Sequence, residues 1–211
     1  MSSSEWRGAS WGFPLAGIIA PILFIVVVTV DGALRPGYSP VWQMISDLGA
    51  QGANTWIQNA NFMITGLLLL VFAPGFYSAF HQVMGRRSLL VSTLLLGIAG
   101  IGLINDGIFT EEGFNNPLVS LHGVLHVVGF VVIFGSLIVA FFIIGRQLRK
   151  TPAWRAYGRY TTITAYATLV LFILIGPVPS HGLTNRLLII TAFAWYVVMG
   201  CRLFVLARAA K

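Results

Sequence analysis

A chain of 211 residues, of which 57% are hydrophobic and 9% charged, does not read as an ordinary soluble domain, where about a quarter of the residues are charged. Six membrane spans of roughly 20 residues would use about 120 residues, leaving short loops and no room for a second soluble domain. The net charge of +7 does not point to nucleic acid, because the cations gather beside apolar runs, where topology and anionic headgroups account for them.

The expected architecture is all-α: one transmembrane helical bundle over residues 1–211. The first apolar run, 11–30, follows Arg7. It is long for a signal-peptide core, and Asp31-Gly32-Ala33 is a poor cleavage site, so a retained span is expected. Further spans are predicted over 57–79, 89–109, 121–144, 160–176 and 187–206. Arg35-Pro36-Gly37, Asn116-Pro117 and Pro177-Val178-Pro179 punctuate them. The single cysteine, Cys201, excludes an intrachain disulfide and is expected to pack inside the last span.

Between the first two spans, Ser39-Pro40 is a helix-start signal and Gly49 a natural stop. Val41, Met44, Ile45 and Leu48 recur at helical spacing, which predicts a short amphipathic helix over 39–48 at the outer membrane face.

Six alternating spans place Arg7, Arg86, Arg87, Arg146, Arg149, Lys150, Arg155, Arg159, Arg202, Arg208 and Lys211 on one side. Only Arg35 and Arg186 fall on the other. By the positive-inside rule both termini are cytoplasmic, and the expected location is the inner membrane. The stretch 146–159 is expected to bind anionic lipid headgroups, and Arg202 to snorkel towards them.

Asp31, Asp47, Asp106, Glu111 and Glu112 fall on the outward side, with His122, His126 and His181. Ionisable groups at membrane depth are costly and often functional. His122 and His126, four residues apart, share one helix face, a spacing that suits a shared metal such as zinc. His181 or Asp106 could add a third ligand. Hydrogen bonding to neighbouring helices or headgroups, and proton handling or substrate contact, are the other readings of the pair. Gly123 stands where the zinc-protease helix motif has its general-base glutamate, so that chemistry is not expected.

Asp106, in the last turn of its span, opposes the helix dipole and calls for a partner. His122 or His126 could supply it as an acid/base couple or an oriented ligand. Asp47, with Ser46, is a second candidate. Asn59 and Asn61 serve either the same cluster or helix packing, while Glu111 and Glu112 are expected in solvent and His81 at the interface. Tyr166, Trp195 and Tyr196 either line a cavity or pack. No phosphate-binding glycine loop, paired-aspartate diphosphate motif, C-x-x-C pair or G-x-S-x-G elbow is present.

The order of features resembles a bacterial six-span membrane family catalogued as domain of unknown function 998. The resemblance rests on Arg35-Pro36-Gly37-Tyr38-Ser39-Pro40, Ile45-Ser46-Asp47-Leu48-Gly49-Ala50, Asn61-Phe62, Asp106, and His122-Gly123 with His126. It implies the fold and a site but no activity. A weaker likeness is to membrane hydrolases of the alkaline-ceramidase type, which combine a serine, an aspartate and an H-x-x-x-H pair around zinc. Ser46, Asp47 or Asp106, and His122 with His126 would fill those roles, although the histidine pair falls mid-chain and the spans number six rather than seven. The expectation is metal-assisted hydrolysis of an amphiphilic, lipid-like molecule. The alternatives are a proton-linked transporter and a non-catalytic subunit that binds lipid or a partner.

Overall fold

The computed structural model describes residues 12–50, 52–112 and 119–209. Arg7, Lys211 and the Asn116-Pro117 turn lie outside them. Six long helices form in chain order: α1 (Gly12–Leu34), α3 (Thr55–Phe80), α4 (Arg86–Ile108), α5 (Leu121–Leu148), α6 (Arg155–Leu174) and α7 (His181–Ala209). A four-residue helix, α2 (Asp47–Ala50), follows α1, and a single 3-10 turn (Pro152–Trp154) precedes α6. Each long helix packs on the next, and α7 returns to α1, closing a ring.

Five of these helices, all but α6, are long and apolar enough to cross a membrane. The chain is an integral, multi-pass membrane protein. Helix α6 is 20 residues long, about 30 Å at the helical rise. Its first half, with Arg155, Arg159 and the threonines 161, 162 and 164, dilutes its apolar character. Three of those hydroxyls, on Thr161, Thr162 and Thr164, bond back to the carbonyls four residues earlier, which satisfies them within the helix.

The exterior is apolar: Leu94, Ile163 and Ile173 are all more than half exposed, as side chains facing hydrocarbon rather than water would be. The interior is aromatic. Trp195 and Tyr196 are fully buried and stack in edge or tilted contacts with Phe72, Phe76 and Phe141, so they pack, while Tyr166 faces outward. Cys201 is also exposed, contrary to expectation. The buried face of α7 runs through Tyr196, Met199, Gly200 and Leu203, and position 201 points off that face.

Glycines bring the helices together where apolar side chains have no water to flee. A Cβ on Gly66 of α3 would stand 2.5 Å from the Gly100 carbonyl of α4, and one on Gly100 would stand 2.8 Å from the Gly66 carbonyl. The two backbones are in mutual contact. At the end carrying the basic loops, Arg202 lies over the rings of Trp154 and Tyr157, 5.6 and 5.7 Å from their centroids. It is thus held by aromatic faces inside the protein.

The segment 39–48 is not the continuous amphipathic helix predicted. Residues 40–42 form a turn, and only Asp47–Ala50 is helical. The Met44 N–H is taken by the Asp47 carboxylate (2.7 Å) and the Ile45 N–H by Asn185 Oδ1 of α7 (3.2 Å). Side chains thus capture the donors that a continuous helix would direct at its own carbonyls.

Replacing Gly66 with leucine should force α3 and α4 apart, at a cost of about 1–3 kcal/mol, whereas the same change at Gly135, whose Cβ would meet nothing within 4 Å, should be nearly silent. Thermal unfolding of the two variants in detergent checks this; equal melting temperatures would remove the glycine contact as a determinant of the ring.

Candidate functional site

Alternating helices bring the ends of α1, α4 and α6 together with the starts of α3, α5 and α7, and the polar groups collect at this end. Segment 35–50 is folded across it. Two guanidinium groups hold the segment there. Arg35 pairs with Asp31 (3.2 Å) and donates to the Leu48 carbonyl (2.9 Å). Arg186 of α7 donates to the carbonyls of Pro40 and Gln43 (each 2.8 Å) and to the Tyr38 hydroxyl. Leu183 N–H reaches the Val41 carbonyl (3.0 Å), and Gly182 is required where the Pro40 and Gln43 backbone runs against α7. From the other side, Asn59 Nδ2 donates to the Gly49 carbonyl (3.1 Å). Asn61 ties α3 to α1 through the Phe24 carbonyl (3.2 Å).

This strap delivers Ser46 into the bundle. Its side chain is buried, and its hydroxyl donates to Glu111 Oε2. Glu111 was expected in solvent with Glu112, and that expectation is corrected. Glu111 is 9% exposed, while Glu112 is exposed and accepts the Ser120 N–H (2.8 Å) at the start of α5. Burial pushes the Glu111 carboxyl up to about 7, with the neighbouring Asp47 acting in the same direction and the Ser46 hydroxyl opposing.

Asp47 is half-buried beside Ser46, closes the Met44 turn, and has its carboxyl raised by burial, against the pull of the Met44 N–H and Arg186. Asp106 is buried near the end of α4. Its Oδ1 accepts from Asn105 Nδ2 (3.3 Å), and Asn105 also reaches the Leu125 carbonyl of α5 (2.7 Å). Gly129 of α5 has no side chain because the Asp106 carboxylate occupies the place of its Cβ.

His126, also buried, directs Nδ1 at the Phe109 carbonyl (2.8 Å). A carbonyl only accepts, so Nδ1 carries a proton towards it. His122, one turn earlier, is exposed, its ring edge-on to Phe109 at 5.3 Å. His181 directs Nδ1 at the Ile175 carbonyl (2.8 Å) at the start of α7, and His81 is exposed at the opposite end. Among the described residues, no group of three or more His, Cys, Asp or Glu side chains is placed to hold a metal ion. The structure therefore does not gather His122, His126 and His181 into a cage, and three-ligand zinc does not fit the donors as they stand.

Two spaces meet at Ser46 and His126. The inner one, narrow and about 20 Å³, is lined by Ser46, Asp106, His126 and Asn185 against the aromatic walls of Phe24 and Phe193. The outer one, about 290 Å³ and partly open, carries Ser46, Glu111 and His126 at one end and Val127, Val131 and Phe172 along its length. Val131 is half exposed, so this cleft opens sideways between α5 and α6. The arrangement sets a hydroxyl, a carboxyl that titrates near neutrality and an imidazole at the end of an apolar slot. Such groups can exchange protons with a molecule seated there.

Of the residues singled out from sequence, Ser46, Asp106 and His126 come together; Asp47 adjoins them, and His122 and His181 stand apart in their own contacts. Glu111, Asn105, Asn185, Arg186 and Tyr38 were missed as site-builders. Arg186 carried a usable signal, being one of only two cations on an acidic side.

Because Glu111 gains affinity for a proton on folding, it contributes stability that is present below its ordinary value near 4.5 and lost as pH rises through about 7. The contribution is on the order of 3 kcal/mol. Melting temperature should fall across that window in the native chain and fall less in Glu111→Gln; identical pH profiles would show that Glu111 is not buried as described.

A family model described as a protein of unknown function, DUF998, matches residues 18–202. No curated protein and no solved structure matches the chain. The chain belongs to the DUF998 family.

Proposed function

We propose that this DUF998 chain is a six-span inner-membrane protein with both termini cytoplasmic, and that its outward end hydrolyses an amphiphile drawn sideways from the bilayer. Helix α6 counts as the sixth span in this reading. It is long enough to cross the hydrocarbon and packs between α5 and α7, so leaving it out of the membrane would break the ring. The basic residues of the 81–86 and 149–155 connections support the orientation.

One observation carries the catalytic reading: the apolar cleft between α5 and α6 opens on the side of the bundle and ends at Ser46, Glu111 and His126. An apolar chain would lie along Val127, Val131 and Phe172, leaving its polar junction beside the acid/base groups. Proton-linked transport is less favoured, because the space around Asp106 is walled mostly by Phe24, Phe62, Phe134 and Phe193 rather than by polar side chains. No step here passes through a metal, since the histidines are not gathered around one.

Orientation is checked in a Cys201→Ser background. Pro177→Cys should react with a membrane-impermeant maleimide in intact cells, and Arg149→Cys only after permeabilisation; the reverse pattern would overturn the topology.

Activity is checked by presenting the purified protein in nanodiscs with acyl-ester and N-acyl lipids and measuring released fatty acid. His126→Ala and Glu111→Gln should each lower the rate by about 100-fold or more while the melting profile stays cooperative, and chelation should leave the rate unchanged. Absence of fatty-acid release from every lipid class would sink the hydrolase reading.

A further inference from the structure

We propose that Ser46 is an acyl-accepting nucleophile and Glu111 its general base, with an ester-linked lipid acyl chain lying in the α5–α6 cleft. This inference rests on the hydrolase reading above and names the reacting atoms of that site. The Ser46 hydroxyl already donates to Glu111 Oε2, which is the geometry a base needs to take the proton as the oxygen attacks. Both side chains are buried, and both line the cleft that opens sideways. A purely structural hydrogen bond would not require the pair to stand at the head of an apolar slot.

The setting suits the task. A carboxyl held near 7 by burial is a stronger base than an exposed glutamate, yet remains ionised in a large fraction of molecules at neutral pH. The groups facing it are Asp47 from the strap, Asp106 from α4 and His126 from α5. His126, its Nδ1 proton directed at the Phe109 carbonyl, lines the same cleft.

The reaction balances without any co-reactant beyond water. Ser46 Oγ bonds to the ester carbonyl carbon while its proton passes to Glu111. The tetrahedral adduct then collapses, the bond to the alcohol oxygen breaks, and Glu111 returns the proton to the departing alcohol. Water attacks the acyl-serine, giving one proton to Glu111. The carbonyl–Oγ bond breaks, and that proton returns to Ser46 as the fatty acid leaves. Ser46 lies on the strap rather than on a strand-to-helix elbow, which is why no G-x-S-x-G signature accompanies it.

The test needs no knowledge of the natural lipid. The full-length protein in nanodiscs is treated with hexadecyl fluorophosphonate and, separately, with its ethyl counterpart, and adducts are located by intact-mass and peptide analysis. A single adduct on Ser46 is expected, forming faster with the hexadecyl probe. It should be absent in Ser46→Ala and slowed about 100-fold in Glu111→Gln. Val131→Trp, which fills the cleft away from the reacting groups, should slow the hexadecyl probe more than the ethyl one. Size-exclusion and melting profiles of each variant establish that it is folded.

No adduct in the folded native chain, an adduct elsewhere, or native-rate labelling of Glu111→Gln overturns the pair. Fatty-acid release that persists in Ser46→Ala also overturns it, while leaving the hydrolase reading in place. A Ser46 adduct that depends on Glu111, in a chain releasing no fatty acid from any lipid class, supports the pair as nucleophile and base and sinks the hydrolase reading.

Discussion

Non-helical backbone inside a membrane protein must find partners for its N–H and C=O groups within the protein, and segment 35–50 meets that constraint through two arginines. Arg35 and Arg186 reach the carbonyls of Leu48, Pro40 and Gln43. Asn59 and Asn185 take up a further carbonyl and a further N–H. Everything distinctive about the site follows from this strap. It seats Ser46 beneath the end of the bundle, closes the inner space over Asp106, and gives Glu111 a partner away from water. The same two cations stand out against the positive-inside pattern because their positions are set by these contacts rather than by topology.

Why the polar groups sit at one end follows from the cost of burying them. Asp106 and His126 occupy the last turn of α4 and the second turn of α5, where neighbouring backbone and amide groups can satisfy them. Deeper in the ring the interior is filled largely with Phe72, Phe76, Phe141 and Trp195, and the buried polar groups there, such as Thr65, Ser92 and Thr168, are neutral hydroxyls. The glycines that let α3 and α4 touch also draw the ends of these helices together. Gly129 does the same work locally, making room for the Asp106 carboxylate against α5.

The long helices were legible from apolar run length, and their predicted limits differ from those observed by a few residues at most ends, most at α7, which starts six residues early. Asp106 and the histidines 122 and 126 were legible as candidates because ionisable residues are rare in spans. The strap was read as a helix because Val41, Met44, Ile45 and Leu48 have helical spacing. Spacing does not reveal that Asp47 and Asn185 capture the backbone donors. Cys201 was read as buried from composition alone, which says nothing about which face of α7 it occupies.

Glu111 and Glu112 mark the boundary between the two kinds of information. Length, hydropathy and the distribution of charge along the chain determined that this is a helical membrane protein and which end collects its carboxylates and histidines, because those properties depend on residues near one another in sequence. Only the tertiary structure decided that one of two adjacent, chemically equivalent glutamates is buried against Ser46, a residue 65 positions earlier, while the other meets solvent. Burial and pairing are set by contacts between distant segments, and no local pattern encodes them.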